Sequence, residues 1–503
     1  VAVLVGLGLA LLAASLINPF AFVPDDSLFY LVIARNISDG HGITFSQVMD
    51  TNGFQPLWQA VVATMVAIVE PLGIRSDAAQ VAAMVATSWA FLAGGLVLLH
   101  RLLAHLRVTA AARFASLASV LLLLGGPYGT LATEANLVLM MLVVVLLAAR
   151  RVIVATDDLA VRRSLLLGAA LAVLLLARLD TVFVAATTLL TVLIVVGRRR
   201  GWRQGVSSVL IAGLATTAAM APYLVWNQAT FGHLLPISGA VKLDFSKIWL
   251  TPEAVGTTGW LLLAAAVAFG AIAAVVTPHR PGLWPWAAIT SGALAASAFY
   301  FLYSPDKLTQ AGWYQAPHIL AFALGTAAVV DRATVRVPRL APIVVWGSSA
   351  LLLAGLAFVI AFRVHGPNAD QADAVRSFSA EASAALPDDA VIATVDYPGY
   401  VALIARRPVI ALDGLTGDYA FQDDLRARGG ECALAERGAN FLVTDPDGRL
   451  RPASGGPPGR YEQDVSSWLY DEPAGVITVD ARDRLADDPT SGLALWRLSV
   501  TCP

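Results

Sequence analysis

A chain of 503 residues that is 57% hydrophobic and only 14% charged, with a mean hydropathy of +0.68, excludes a soluble globular protein and reads as a polytopic membrane protein. A net charge of -2 offers no footprint for a nucleic-acid partner. Of the 36 acidic residues, 22 follow Arg363, which divides the chain into an apolar body, 1–363, and a polar, water-facing domain, 364–503.

The first apolar run, Val1 to Val23, is long enough to cross a bilayer. It lacks a basic start and a small-residue cleavage site, so a span is expected there and not a cleavable signal peptide. The next stretch, PDDSLFYLVIARNISDGHGITFSQVMDTNGFQPLW, Pro24 to Trp58, departs from what an anchor needs. Asp25 and Asp26 stand directly after the span, where ionisable groups are kept mostly for function. Leu28, Leu31, Val32 and Arg35 then fall on one side of a helix that lies on the membrane, with Asp26 or Ser27 able to cap its start. Gly40, His41 and Gly42 break that helix, and Asn52-Gly53 turns the chain back towards Pro56 and Trp58. The segment 55–69 is apolar but short, and is expected as a surface or re-entrant helix within the outer loop 24–77.

Further apolar runs lie at about 78–100, 112–127, 131–149, 164–178, 181–197, 205–227, 257–277, 283–303, 313–330 and 340–362, giving eleven expected spans. With the N-terminus in the cytoplasm, the inner loops collect fifteen arginines and three acids. The outer side of the membrane part then holds four arginines, all three lysines and eleven acids. That asymmetry places the C-terminal domain outside the cytoplasm. The domain is expected to open with a helix over 369–386 and to continue as an α/β layer, with strands at 391–395, 409–412, 441–444, 476–479 and 493–498 and a mobile Gly/Pro-rich loop at 453–459. Cys432 and Cys502, both in this domain, are either a disulfide pinning the last strand or two buried thiols.

In this topology the outer helix ends carry the unusual polar residues, which together line one outward-facing cavity. Glu134 heads the fourth span, where a helix N-terminus alone would also tolerate an acid. Arg178 and Asp180 mark the next outer turn, where they could simply neutralise each other. Lys242, one of three lysines, is either a compact charge for a phosphate or a snorkelling interface residue. Trp313, Tyr314 and His318 begin the tenth span, as interfacial belt or as sugar platform. With Tyr30, His41, Asn52 and Gln55 of the first outer loop, these are the expected substrate-binding residues.

Two acids beside a membrane, cationic groups able to hold a phosphate and an outward cavity suit transfer from a lipid-linked donor. One carboxylate takes a proton from an acceptor hydroxyl attacking the anomeric carbon, the cations stabilise the departing phosphate, and a single displacement inverts the configuration. No nucleotide-binding glycine loop, HExxH or CxxC occurs.

The segments DDSLFYLVIARNISDGHGITF and TNGFQPLW, and more weakly LATEANL, ARLDT, PISGAVK and GWYQAPH, resemble the GT-C class of integral membrane glycosyltransferases, which use polyprenyl-phosphate sugars. The tail VDYPGYVALIARRPVIALDGLTGD is similar to the end domain of bacterial members. The resemblance implies a GT-C fold, and by position it implies Asp25 as catalytic base with Asp26 as its neighbour. It leaves open a divalent cation on Asp25 and Asp26, with no third ligand identifiable. The chain departs from the pattern at Gln55, Thr133 and Leu179, where His, Met and Pro are common. The expected partners are a polyprenyl-phosphate sugar donor, a glycan, lipid or protein acceptor, and membrane lipid, in a bacterial cell membrane. The excess of Ala, Val, Gly and Arg points to a high-GC bacterium such as an actinobacterium, and to decaprenyl-phosphate arabinose or mannose. The rival readings are a transporter or flippase for lipid-linked saccharides, for which no internal repeat is visible, and a non-catalytic glycan-binding subunit.

Overall fold

The computed structural model describes residues 2–125, 131–154, 160–242, 283–303, 312–454, 457–470, 472–500 and 502. Helices α1 (Ala2–Ile17), α2 (Asp25–Ser38), α3 (Pro56–Val69), α4 (Asp77–His105), α5 (Ala110–Gly125), α6 (Ala135–Ile153), α7 (Ala160–Ala177), α8 (Val182–Arg200) and α9 (Trp202–Phe231) are followed by a single turn, α10 (Ile237–Ala240). Further helices occupy Trp284–Tyr303, Ala316–Arg336 and Leu340–Val359. Among the described residues seven helices are long and apolar enough to cross a membrane, while α1 and α5, 16 residues each, are shorter apolar helices. Ten of the eleven expected runs coincide with these helices, and the run at 257–277 lies outside the described residues.

The helices pack as neighbours in a bundle: α7 against α6 and α9, α4 against α6, α8 against α9 and Trp284–Tyr303, and α5 against Ala316–Arg336 and Leu340–Val359. Some of the polar side chains buried between them pair across helices, which hydrocarbon favours. The Trp89 indole donates to Ser15 Oγ at 3.0 Å, and Asn136 donates to Ser88 Oγ at 2.9 Å.

The segment 55–69 is the short helix α3, packed on α2. Helix α2 differs from expectation at its start. Its N-cap residue is Pro24, which has no side-chain acceptor, and Asp26 and Ser27, the expected caps, lie within the first turn of the helix and do not cap it. Its far end is fastened by Arg35, which pairs with Asp77 at 2.9 Å and donates to the Leu403 carbonyl at 3.3 Å.

The helix Leu340–Val359 runs on through Ile360–Val364 to Pro367–Ala385, which leads into the C-terminal α/β region. There β1 (Ile392–Thr394), β2 (Val409–Ala411), β3 (Phe441–Thr444), β7 (Arg484–Asp488) and β8 (Leu493–Arg497) form a five-stranded sheet in the order β2-β1-β3-β8-β7. The first three are parallel, with Ile392 opposite both Val409 and Phe441, and β8 and β7 are antiparallel. A second sheet, β4-β5-β6, consists of Leu450–Pro452, Arg460–Ser467 and Glu472–Asp480. The segment 453–459 is the connection of its first hairpin, held at its ends by Ala453 N–H donating to the Arg460 carbonyl at 2.9 Å, with residues 455–456 outside the described set. Cys432 and Cys502 are joined as a disulfide.

The C-terminal region does not stand clear of the bundle. One continuous apolar core runs from Trp58, Leu92 and Val138 to Val375, Phe378, Ile392, Tyr400 and Leu403. A second core, around Ile410, Phe421, Leu442, Ile477 and Trp496, lies within the α/β region.

Candidate active site

The N-terminal turns of α2, the 53–55 turn, the start of α6, the α7–α8 corner, α10 and the 3-10 turn Gly312–Gln315 converge on one hollow. Asp26, Ser27, Phe29, Tyr30, Gln55, Glu134, Arg178, Ser238, Lys242, Trp313, Tyr314 and Leu415 are among the residues lining it. On α2 the spacing 26, 27, 29, 30 puts these side chains on adjoining faces of the first helical turns.

Arg178 is the centre of the floor. It pairs with Glu134 from the head of α6 and with Asp180 at 2.8 Å, and its guanidinium lies 3.8 Å from the centre of the Tyr314 ring. Glu134 and Arg178 are 3% and 5% exposed, so each charge depends on the other. The Tyr30 hydroxyl donates to Glu134 at 3.3 Å and accepts the Gln55 N–H at 3.4 Å. Burial first, then the Glu134 charge, push the Tyr30 pKa far above its ordinary value, so the hydroxyl keeps its proton. The hairpin-tip pairing of Arg178 with Asp180 therefore exists, and Glu134 extends it across helices.

Lys242 follows α10, whose first amide, Ile237 N–H, donates to Asn52 Oδ1 at 2.9 Å. Asn52 Nδ2 in turn donates to Asn227 Oδ1 at 3.1 Å. Burial opposes the Lys242 ammonium, yet Tyr314, Asp26 and Asp413 outweigh it and hold its pKa above the ordinary lysine value. Lys242 is thus a secured cation at the edge of the hollow.

The two aspartates that begin α2 part company. Asp26 lines the hollow. Asp25 accepts backbone N–H groups from Tyr400 (2.9 Å) and Gly399 (3.2 Å), at the start of the helix Pro398–Ala405. Burial, with help from the Asp26 charge, pushes the Asp25 pKa up to about 8 against the pull of the two backbone donors. The contact is close. A Cβ on Gly399 would fall 2.5 Å from the Asp25 carbonyl oxygen, and one on Gly53 would fall 1.9 Å from that of Leu415. Only glycine allows these approaches, and through them the 413–417 loop, which carries Leu415, forms a wall of the hollow.

Of the expected site residues, the catalytic Asp26 and the substrate contacts Tyr30, Gln55, Glu134, Arg178, Lys242, Trp313 and Tyr314 share this hollow. Asp180 and His318 line a smaller pocket behind Arg178, where Ser297 Oγ and His318 Nε2 lie 2.6 Å apart and the Tyr300 hydroxyl donates to Asp180. His41 is exposed in the turn after α2 and does not reach the hollow, because the helix ends before it and carries it away. Asn52 is fully buried and holds backbone and Asn227 in place of a ligand. Asp25 does not line the hollow either. Among the described residues no group of three His, Cys, Asp or Glu side chains is placed to hold a metal ion, and Asp25 spends its oxygens on backbone donors. Sequence reasoning passed over Ser27, Ser238 and Leu415. The first two lie inside the segments DDSLFY and PISGAVK, where their proximity to charged residues was the available signal. Nothing local marks Leu415.

The same architecture occurs in known structures. ArnT from Cupriavidus metallidurans bound to undecaprenyl phosphate superposes with a TM-score of 0.54 at 14% identity, over 88% of this chain and 92% of that one. Its apo state gives 0.52 at 14% identity, over 88% and 93%. The Archaeoglobus fulgidus oligosaccharyltransferase tethered with an acceptor peptide gives 0.51 at 13% identity, over 95% and 75%. No protein-family model matches the chain, and no curated protein matches it in sequence. At these identities the likeness concerns the fold: the chain has the GT-C fold of integral membrane glycosyltransferases, in a multi-pass membrane protein with a C-terminal α/β region.

Proposed function

We propose that this protein is an inverting glycosyltransferase that moves a sugar from a polyprenyl-phosphate donor to a glycan, lipid or protein acceptor at the outer face of the membrane. The observation that carries the reading is one hollow in which the Asp26 carboxylate faces the same space as the cations Lys242 and Arg178. The base in this reading is Asp26, in place of its neighbour Asp25, which is occupied by Gly399 and Tyr400. Asp26 accepts the proton of an acceptor hydroxyl as that oxygen bonds to the anomeric carbon. The bond from the anomeric carbon to the phosphate oxygen breaks on the opposite side, so the configuration inverts. Lys242 meets the charge left on the lipid phosphate. Arg178 is already paired with Glu134 and Asp180, and serves as a fixed, partly neutralised donor.

The solved relatives of this fold support the substrate class, since one is bound to undecaprenyl phosphate and another holds an acceptor peptide. The arginine asymmetry of the helix ends supports a cytoplasmic N-terminus, with the hollow and the α/β region outside. Composition favours arabinose or mannose as the first donors to try.

The test is sugar transfer from synthetic polyprenyl-phosphate pentoses and hexoses by the purified protein in detergent or nanodiscs. Asp26→Asn is expected to lower kcat by about 100-fold or more, while Asp25→Asn retains measurable transfer. Transfer that survives Asp26→Asn unchanged removes Asp26 as the base. Lipid-linked sugar moved across a vesicle bilayer, with no transfer by the wild type, points to the flippase.

A further inference from the structure

Ser27 follows the proposed base directly. It is fully buried, it lines the hollow, and its hydroxyl has no protein hydrogen-bond partner among the described residues. Serine in a helix ordinarily returns its hydroxyl to a nearby backbone group. Here the hydroxyl does not, although the Ser27 backbone N–H donates to the Pro24 carbonyl at 3.0 Å in regular fashion. A buried hydroxyl left without a partner is unfavourable. Of the buried side-chain polar atoms that lack a protein partner among the described residues, Ser27 Oγ and Gln55 Oε1, the latter on the opposite segment, are the two whose residues line the hollow.

The chemistry around Ser27 limits what that partner is. Lys242 and Arg178 are the groups suited to phosphate. The Tyr30 hydroxyl, one turn along from Ser27, is already committed to Glu134 and the Gln55 N–H. Ser27 is left as a neutral group that both donates and accepts one hydrogen bond beside the reacting centre, which is the complement of a sugar hydroxyl.

Resting on the reading above, we infer that Ser27 is a substrate-binding residue whose hydroxyl pairs with one ring hydroxyl of the donor's sugar, and so helps to select that sugar. A polar site of this kind discriminates strongly against an analogue lacking the matching group, because its own buried atom is then left unpaired.

The experiment pairs protein and substrate changes. The polyprenyl-phosphate sugar that the wild type uses, and its monodeoxy analogues, are each assayed with wild type, Ser27→Ala and Ser27→Thr. Wild type is expected to prefer the parent donor to one particular deoxy analogue by about tenfold in kcat/KM. In Ser27→Ala that ratio falls to near one for the same analogue alone, and Ser27→Thr restores it. Should Ser27→Ala fail to fold, Ser27→Cys, similar in size and far weaker as a hydrogen-bonding group, must show the same collapse. The thermal midpoint of Ser27→Ala without donor is expected to match or exceed that of the wild type, whereas a merely structural serine would lower it. Ratios equal in wild type and Ser27→Ala at every position, or an effect on acceptor KM alone, overturn the assignment while leaving the transferase standing. A wild type that transfers from no polyprenyl-phosphate sugar overturns the proposed function itself.

Discussion

Asp25 and Gly399 touch across 374 positions of sequence: the Gly399 N–H donates to Asp25 Oδ2 at 3.2 Å, and a methyl group on Gly399 would fall 2.5 Å from the Asp25 backbone carbonyl. The helix that carries Asp26 is therefore seated on the C-terminal region at the residue just before Asp26. Two adjacent acids thereby divide into one that orients the helix and one that faces the hollow.

Because the contact leaves no room, Gly399→Ala is expected to push the helix Pro398–Ala405 off α2. Overpacking of this kind costs about 1–3 kcal/mol. The thermal midpoint in detergent should drop and transfer should fall with it. A Gly399→Ala protein with wild-type stability and activity would contradict the seating.

The elevated pKa of Asp25 makes a prediction with a definite sign. The folded protein holds this proton until about pH 8, whereas the unfolded chain releases it near 3.8. Folding therefore takes up a proton between those values, and the contribution of Asp25 to stability is greatest below pH 4 and is lost as pH rises through 8. Asp25→Asn cannot ionise and removes this slope. In thermal unfolding from pH 5 to 9, the variant should gain on the wild type as pH rises. A constant difference between the two would show that Asp25 titrates normally.

Cys432 and Cys502 close a loop of 70 residues that contains most of the second core. Chain-entropy arguments assign about 2–5 kcal/mol to such a crosslink. Replacing both with serine, or reducing the protein, is expected to lower the unfolding midpoint of the α/β region. The bundle should retain its helicity, read by far-ultraviolet circular dichroism.

Much of this architecture is legible in the sequence because hydrocarbon imposes a simple rule: long apolar runs become helices, as at 78–100 and 205–227. The buried parallel strands β1, β2 and β3 announce themselves for a related reason, being short, mostly apolar runs (IAT, VIA and FLVT). Strand β5, RYEQDVSS, does not, since it alternates exposed polar with buried residues in a small sheet that reads locally as loop. At the site, charged residues in apolar surroundings are visible one by one, and most of those singled out do share the hollow. Side-chain direction is not visible. Nothing in the pair Asp25-Asp26 says which carboxylate meets Tyr400, because that depends on a helix nearly 400 residues later. Leu415 is hidden for the same reason: it becomes a cavity residue only because Gly53 lets its backbone approach.

The charge cluster beneath the hollow should respond asymmetrically to mutation. Arg178 serves Glu134 and Asp180 together, so Arg178→Met strands two acids, one of them almost fully buried. Removing one partner of a buried pair costs about 3–5 kcal/mol, and the variant is expected to express poorly and to unfold early. Glu134→Gln leaves Arg178 its contact with Asp180 and the Tyr314 ring, and keeps an acceptor for the Tyr30 hydroxyl, so its cost should be the smaller. The double variant Arg178→Met/Glu134→Gln should recover part of the stability lost in Arg178→Met alone, because the stranded charge is removed with its partner. Thermal midpoints of the four proteins form the cycle. Strictly additive losses would mean that the two residues do not share their charge in the folded state.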